Sequence, residues 1–331
     1  MNSSVAHRRI LITGADGFVG SWILHTLEAR PTPDLKIIAG GRTGKSSSLP
    51  VQTVRFDITD PARVDAAIAR ARPSTVIHLA AVSHVSEARE DPHWAWEVNL
   101  RGTMNLAESV MKHSPQSRFV FVSSSEVYGG ADKVLGRLLD ETALLDPRNP
   151  YAAAKAAADL MIGQMAGNGL NAIRVRPFNH TGPGQTERFV IPAFAAQVAR
   201  IEAGIQEPVI RVGNLEARRD FLDVRDVANA YISLALSSFS FEPGLVLNLA
   251  SGTGRRIGEI VDELVSLATV EIRVETDPSR LRVNETPFAN ADAGRIRKLL
   301  GWQPRIPWSK TLADVLEFWR ARVKSMRPVA G

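Results

Sequence analysis

Through the first two-thirds of the chain, short runs rich in aliphatic and β-branched residues alternate with stretches of helical periodicity. The candidate strands are residues 9–13, 36–39, 52–56, 75–79, 118–122 and 172–175. Between the first two, Val19, Ile23 and Leu27 recur every four residues and Leu24 widens the stripe, the pattern of a crossover helix with one buried face. Such alternation predicts an α/β fold, a Rossmann-type doubly wound parallel sheet.

The pattern changes after Pro177. A loop-like stretch from Asn179 to Gln185 leads into a helical run at 191–203, followed by a helix at 224–236 and a strand at 245–249. Ile257, Ile260, Val261, Leu264, Val265 and Ala268 mark one face of an amphipathic helix, and residues 311–322 resemble a C-terminal one. The expected organisation is therefore interleaved: a dinucleotide-binding domain from 1–178 plus about 223–250, and a smaller substrate lobe from 179–222 plus 251–331.

Composition narrows the function without fixing it. At 331 residues the chain is long enough for a domain with an appended lobe, and 44% apolar with 23% charged residues is ordinary globular composition. The absence of cysteine excludes thiolate nucleophiles and thiolate metal sites, and no metal is expected. The net charge of +5 comes from scattered Arg and Lys, without the blocks that bind nucleic acid. No stretch of about 18 apolar residues stands out, so neither nucleic acid nor membrane is an expected partner and the cytoplasm is the expected location.

The chemistry begins at Gly14-Ala15-Asp16-Gly17-Phe18-Val19-Gly20, which follows the Ile10-Leu11-Ile12 strand and opens a helix. Glycines here let the backbone approach a pyrophosphate and the helix pack close to the sheet, with the helix N-terminus facing the negative charge. A strand-to-helix turn without a ligand uses the same glycines, so flanking context carries the reading. The second strand ends Ala39-Gly40-Gly41-Arg42, with Arg42 where a dinucleotide's ribose carboxylate would usually stand. Arg42 therefore favours NADP over NAD slightly, although an arginine there also suits adenine stacking or simple solvation. Asp57 is placed to meet the adenine amino group, or else to cap the next helix.

Tyr151 and Lys155 lie four residues apart, on one helical face. A neighbouring cation favours phenolate, which predicts a tyrosine pKa below its usual 10. Upstream, the strand at 118–122 delivers Ser123-Ser124-Ser125-Glu126-Val127-Tyr128-Gly129 to the carboxyl end of the sheet, where open α/β sheets bind ligands.

Together with His78-Leu79-Ala80-Ala81 and Asn99, these segments resemble the extended short-chain dehydrogenase/reductases that modify nucleotide sugars, over nearly the whole chain. The resemblance implies catalytic roles for Ser124, Tyr151 and Lys155, with Glu126 as a further candidate. It also implies cofactor contacts from Gly14, Gly17, Phe18, Val19, Gly20, Arg42, Asp57, Ile58, Leu79, Ala80, Ala81, Asn99, Tyr151, Lys155 and Pro177. Substrate contacts are implied for Ser83, Ser124, Ser125, Glu126, Asn179, Val190, Arg219, Arg282 and Glu285, with Arg219 and Arg282 resembling a diphosphate clamp. A homodimer is expected.

Asn149-Pro150-Tyr151, the segment Arg176 to Gln185, Val212 to Phe221, and Leu281 to Glu285 look especially similar to GDP-4-keto-6-deoxy-mannose reductases. That implies hydride transfer from NADP or NAD to the carbon-4 ketone of a GDP-linked sugar, giving GDP-rhamnose or its 4-epimer. The nearest rivals are a GDP-mannose 4,6-dehydratase, another nucleotide-sugar dehydratase or a 4-epimerase; a sensor that binds dinucleotide without turnover is the rival of another class. In a dTDP-glucose dehydratase an Asp-Glu pair does the elimination, whereas here Ser125 precedes Glu126.

Overall fold

The computed structural model describes residues 8–43, 51–129, 138–280, 288–289 and 291–326. Its centre is a seven-stranded parallel sheet of β1 (Arg8–Thr13), β2 (Leu35–Gly41), β3 (Gln52–Arg55), β4 (Thr75–His78), β5 (Arg118–Val122), β6 (Ala172–Pro177) and, reached later in the chain, a strand at Leu245–Leu249. The order across the sheet is Leu245–Leu249, then β6, β5, β4, β1, β2 and β3. It reverses between β4 and β1, and the crevice outside the carboxyl ends at such a reversal is where doubly wound sheets take their ligands.

Both faces of this sheet are covered, and the side-chain alternation shows how. Leu11, Val76, Phe119 and Phe121 enter one apolar cluster; Ile10, Ile12, Ile77, Val120, Ile173 and Val175 enter the other. A strand with both faces buried reads as a continuous apolar run, which is why the segments of β1, β4, β5 and β6 are legible; β3, at the sheet edge, is largely exposed.

The crossover helices are α1 (Phe18–Ala29), α2 (Pro61–Ala71), the short α3 (Val85–Glu90) and α4 (Pro92–Trp96), a π-helical turn at Glu97–Gly102 running into α5 (Thr103–His113), and α6 (Pro150–Gly167). Beyond β6 come β7 (Asn179–Thr181), α7 (Val190–Glu202), β8 (Val209–Val212), β9 (Arg218–Asp223) and α8 (Val224–Leu236). The edge strand just mentioned is then β10; it is followed by β11 (Gly254–Arg256), α9 (Ile257–Ser266), β12 (Arg273–Thr276), β13 (Phe288–Ala289), α10 (Gly294–Leu300) and α11 (Trp308–Ser325). A third apolar cluster joins α7, β8, α9 and α11, the region expected to form the smaller lobe. The 251–331 stretch is not uniform, however. Ala291, Ala293, Ile296 and Trp302 pack into the core beside α8 and β10, and the Trp302 indole donates to the Asp226 carbonyl at 3.2 Å.

Buried charge locks α6 to the sheet. Tyr151, Lys155 and Asp159 recur every four residues along its buried side. Asp159 is fully buried and accepts from Arg176 Nε at 3.0 Å, Arg176 Nη2 at 2.9 Å and Arg174 Nη1 at 3.1 Å. Arg176 Nη1 donates to the Tyr128 hydroxyl at 3.0 Å, which donates in turn to Asn248 Oδ1 at 2.7 Å. These arginine contacts hold the Asp159 carboxyl below its usual range against the opposing effect of burial. Removing one partner of a buried ion pair strands the other charge. Asp159→Asn is therefore expected to lower unfolding stability by about 3 kcal/mol, measured by urea denaturation; a midpoint unchanged from wild type would show the pair to be dispensable.

Candidate active site

At the sheet reversal a cavity of about 500 Å³ opens, lined from one end by the glycine turn and the ends of β2 and β3, and from the other by Ser124, Tyr151 and Lys155. The turn is shaped by backbone approach. Gly14 has φ +68°, and a Cβ there would stand 2.9 Å from the Ala80 nitrogen. One at Gly20 would lie 2.4 Å from the Gly14 carbonyl oxygen, so α1 packs against the turn that precedes it only without a side chain at that position. Gly17 caps α1 with no side-chain hydrogen bond to the first turn, leaving those N–H groups to meet an anion. The cradle therefore fits the pyrophosphate of a dinucleotide.

The opposite wall carries the reactive groups. Ser124, at the end of β5, caps the single turn Ser125–Tyr128 and accepts from the Glu126 N–H at 3.1 Å. Asn149 caps α6 through Oδ1, accepting from the Ala152 N–H at 2.8 Å, with Pro150 in the first turn. That cap brings Tyr151 and Lys155 to the cavity. The Lys155 ammonium donates to the Val122 carbonyl at 2.5 Å and lies 4.8 Å from the centre of the Phe121 ring; burial pushes its pKa down to about 8.

Tyr151 differs from expectation in the direction of its shift. Burial pushes its pKa up to about 12, a hydrogen bond with Ser124 acts the other way, and the Glu126 charge raises it further. Desolvation disfavours the phenolate, and the Lys155 ammonium is engaged with the Val122 carbonyl. The phenol therefore keeps its proton at neutral pH, the state that a proton donor requires.

Several expected contacts do line the cavity: Gly14, Gly17, Phe18, Val19, Gly20, Arg42, Asp57, Ile58, Leu79, Ala80, Ala81, Ser83, Ser125, Glu126, Pro177 and Asn179. Asp57 is not the cap of α2. Its Oδ1 accepts from the Thr59 N–H at 3.0 Å and hydroxyl at 2.8 Å, and Asp60 caps the helix instead. Asn99 is fully buried behind the wall, outside the cavity lining. Its amide clamps Val82 from both ends, accepting from the N–H at 2.8 Å and donating to the carbonyl at 3.0 Å, so it shapes the wall. Val190, at the start of α7, and Arg219, in β9, also fall outside the lining; one Arg219 nitrogen donates to the Arg218 carbonyl at 2.8 Å. Arg282 and Glu285 lie outside the described residues.

Other lining residues carry little signal in the sequence because distant segments bring them here. Asp16 is one: its carboxylate accepts from the Thr43 hydroxyl at 2.9 Å and sits 3.3 Å from where a Gly41 Cβ would be, so a carboxylate does reach the end of β2. His180 is another. Its ring lies nearly parallel to Phe18, with centres 6.3 Å apart, and burial lowers its pKa. Nδ1 lies 3.0 Å from the Phe178 carbonyl oxygen; a carbonyl can only accept, so Nδ1 carries the proton and Nε2 is left as an acceptor.

Behind the site, His78 joins three elements. Nδ1 lies 2.7 Å from the Thr13 hydroxyl in β1, and Nε2 lies 3.0 Å from the Thr103 hydroxyl in α5. Burial lowers its pKa from 6.5 to about 3. The unfolded chain therefore binds a proton that the folded one refuses, so this group's contribution is intact above pH 6.5 and is lost as pH falls toward about 3. Over that window the wild-type urea midpoint should fall more steeply than that of His78→Gln; parallel curves would show that His78 does not take up a proton on unfolding.

Residues 11–315 match the family model described as GDP-mannose 4,6 dehydratase. A GDP-6-deoxy-D-mannose reductase of Pseudomonas aeruginosa is 35% identical, covering 96% of this chain and 99% of that protein. The structure of RMD from Pseudomonas aeruginosa complexed with NADPH superposes with a TM-score of 0.84 at 34% identity, covering 95% of this chain and 99% of that one. A UDP-glucose 4-epimerase of Thermus thermophilus in complex with NAD gives 0.81 at 27% identity, covering 94% and 99%.

Proposed function

The chain belongs to the GDP-mannose 4,6-dehydratase family, within the extended short-chain dehydrogenase/reductases, and from that premise we propose that it reduces the carbon-4 ketone of a GDP-4-keto-6-deoxy-hexose, giving GDP-rhamnose or its 4-epimer. It is an NAD(P)-dependent enzyme acting on a nucleotide sugar. What supports the reductase reading is the gathering of Ser124, Tyr151 and Lys155 at one end of the cavity, opposite the glycine cradle, in a chain 35% identical to a GDP-6-deoxy-D-mannose reductase. A nicotinamide dinucleotide held by the glycine turn and Lys155 would supply the hydride. Ser124 hydrogen-bonds the ketone oxygen, and Tyr151 delivers its proton to that same oxygen as negative charge develops there. Lys155 spends one N–H on Val122 and keeps two for the hydroxyls of the nicotinamide ribose. Asn179 is assigned to the diphosphate.

For the cofactor we assign NADP(H) on Arg42, which lines the cavity at the end of β2 and whose carbonyl accepts from Arg55 Nε at 2.9 Å. A guanidinium at the end of β2 suits a 2′-phosphate. Asp16 supports the NAD reading, because a carboxylate there accepts from a free 2′-hydroxyl. The smaller lobe, built on the third apolar cluster, is assigned to the sugar nucleotide. A homodimer is proposed through α4 and α6, which pack together and present Trp96 at 38% and Leu160 at 61% exposure. Among the described residues no helix is long and apolar enough to cross a membrane; the cytoplasm is the proposed location.

The deciding experiment supplies the protein with GDP-mannose and with its 4-keto-6-deoxy product, each with NADPH and NADH, and identifies products by mass and NMR. Conversion of the keto sugar with oxidation of cofactor is expected; loss of water from GDP-mannose would make the protein a dehydratase, and binding of dinucleotide with no turnover would make it a sensor. Tyr151→Phe keeps the ring and removes the proton, so turnover should fall by about a hundredfold to ten-thousandfold while the dinucleotide dissociation constant stays close to wild type. Arg42→Ala should weaken NADPH more than NADH in equilibrium binding; equal losses would return the cofactor assignment to Asp16 and NAD.

A further inference from the structure

Glu126 occupies the position where a dehydratase of this family resemblance would keep its base, yet its contacts here are structural on both sides. Its N–H donates to Ser124 Oγ at 3.1 Å. Its Oε2 accepts from Asn149 Nδ2 at 3.0 Å. Asn149 in turn caps α6, its Oδ1 accepting from the Ala152 N–H at 2.8 Å, and Tyr151 is the second residue of that helix. One residue therefore ties the hydroxyl at the end of β5 to the start of the helix that carries the phenol.

We propose that Glu126 is a positioning residue that braces Tyr151 against Ser124 through the Asn149 cap, and that it has no part as a base; the inference rests on the reductase reading above. Two features of the residues support it. Asn149 divides its amide without conflict, the oxygen taking the helix N–H and the nitrogen giving to the carboxylate, so the cap and the brace are formed together. The brace also places a negative charge near the phenol, and that charge raises the Tyr151 pKa. The other groups facing this corner are Lys155 on α6, Tyr231 on α8, whose own pKa burial raises, and His78 on β4, which faces Lys155 and is neutral at working pH. Loss of the Glu126 charge therefore has a defined sign: Tyr151 gives up its proton at lower pH.

The test compares Glu126→Gln, Glu126→Ala, Asn149→Asp and the Glu126→Ala/Asn149→Asp double variant. Gln keeps an oxygen for the Asn149 amide and removes the charge. It should lower kcat by less than about tenfold and move the alkaline limb of the kcat/KM profile down by about half a pH unit or more. Glu126→Ala should lower kcat by about ten- to a hundredfold with KM for the keto sugar within about threefold. Asn149→Asp keeps the helix cap but cannot donate to Glu126 and sets two carboxylates together, so it should lower kcat at least as much as Glu126→Ala; the double variant relieves that repulsion and should be no worse than either single. Abolished turnover in Glu126→Gln would overturn the proposal and restore Glu126 as a base, and so would an unshifted alkaline limb in an active Glu126→Gln or additive losses in the double variant. Should the wild type reduce no keto sugar, the reductase reading fails, while the brace is still read from an ultraviolet titration of the Tyr151 phenol with Tyr151→Phe as blank. An equal phenol titration in wild type and Glu126→Gln would then overturn the brace by itself.

Discussion

The carboxylate of Asp159 is the point on which the site hangs. It sits fully buried between Arg174 and Arg176, and a charge so placed is tolerable only with its hydrogen bonds satisfied. The arginines come from β6, the carboxylate from α6, and the Tyr128 hydroxyl that closes the chain comes from the turn after Ser124. From that turn the contact runs on to Asn248 in β10, whose amide donates to the Leu139 carbonyl at 2.9 Å. The pieces that must agree in position for chemistry, a serine at one strand end and a tyrosine and lysine on one helix, are thus referred to a common anchor. Because Tyr151, Lys155 and Asp159 share one helical side, a shift in the ion pair becomes a shift in the phenol.

At the far end of the cavity the constraint is steric. The glycine turn works by what cannot be added: Gly14 and Gly20 have no space for a Cβ, and the uncapped first turn of α1 is free for an anion. Between the two ends His78, held between the Thr13 and Thr103 hydroxyls, fixes the floor of the site without contributing charge. The cavity thus has an anion cradle at one end and Ser124, Glu126, Tyr151 and Lys155 at the other, with a neutral His78 behind them.

How much of this was legible in the sequence follows from which forces are local. Strands in the sheet interior read as apolar runs, so residues 118–122 and 245–249 match the observed bounds, as does the helix at 224–236, while the other helix ends differ by one to three residues. Motif residues such as Ser124, Tyr151 and Gly14 were found because their spacing is set by one turn or one helix. Asp16 escaped notice because its meeting with Thr43 depends on how the first glycine turn faces the end of β2, and no local pattern records it. The direction of the Tyr151 shift escaped for a related reason. Spacing shows that a lysine is near, but burial is a property of the assembled wall, and here it outweighs the neighbour.

That last point bears on how a dehydratase and a reductase can share one scaffold. Elimination needs a carboxylate free to take a proton from carbon, whereas reduction needs a phenol that holds its proton until the carbonyl oxygen demands it. In this chain Ser125 stands where a dTDP-glucose dehydratase keeps the Asp of its pair, an exchange that GDP-mannose dehydratases also tolerate, and Glu126 is bonded to the cap of α6. A carboxylate that accepts from Asn149 is partly committed, and its charge tilts Tyr151 toward the protonated form. On the reading proposed above, the negative group that would serve elimination as a base instead holds the phenol in its protonated form.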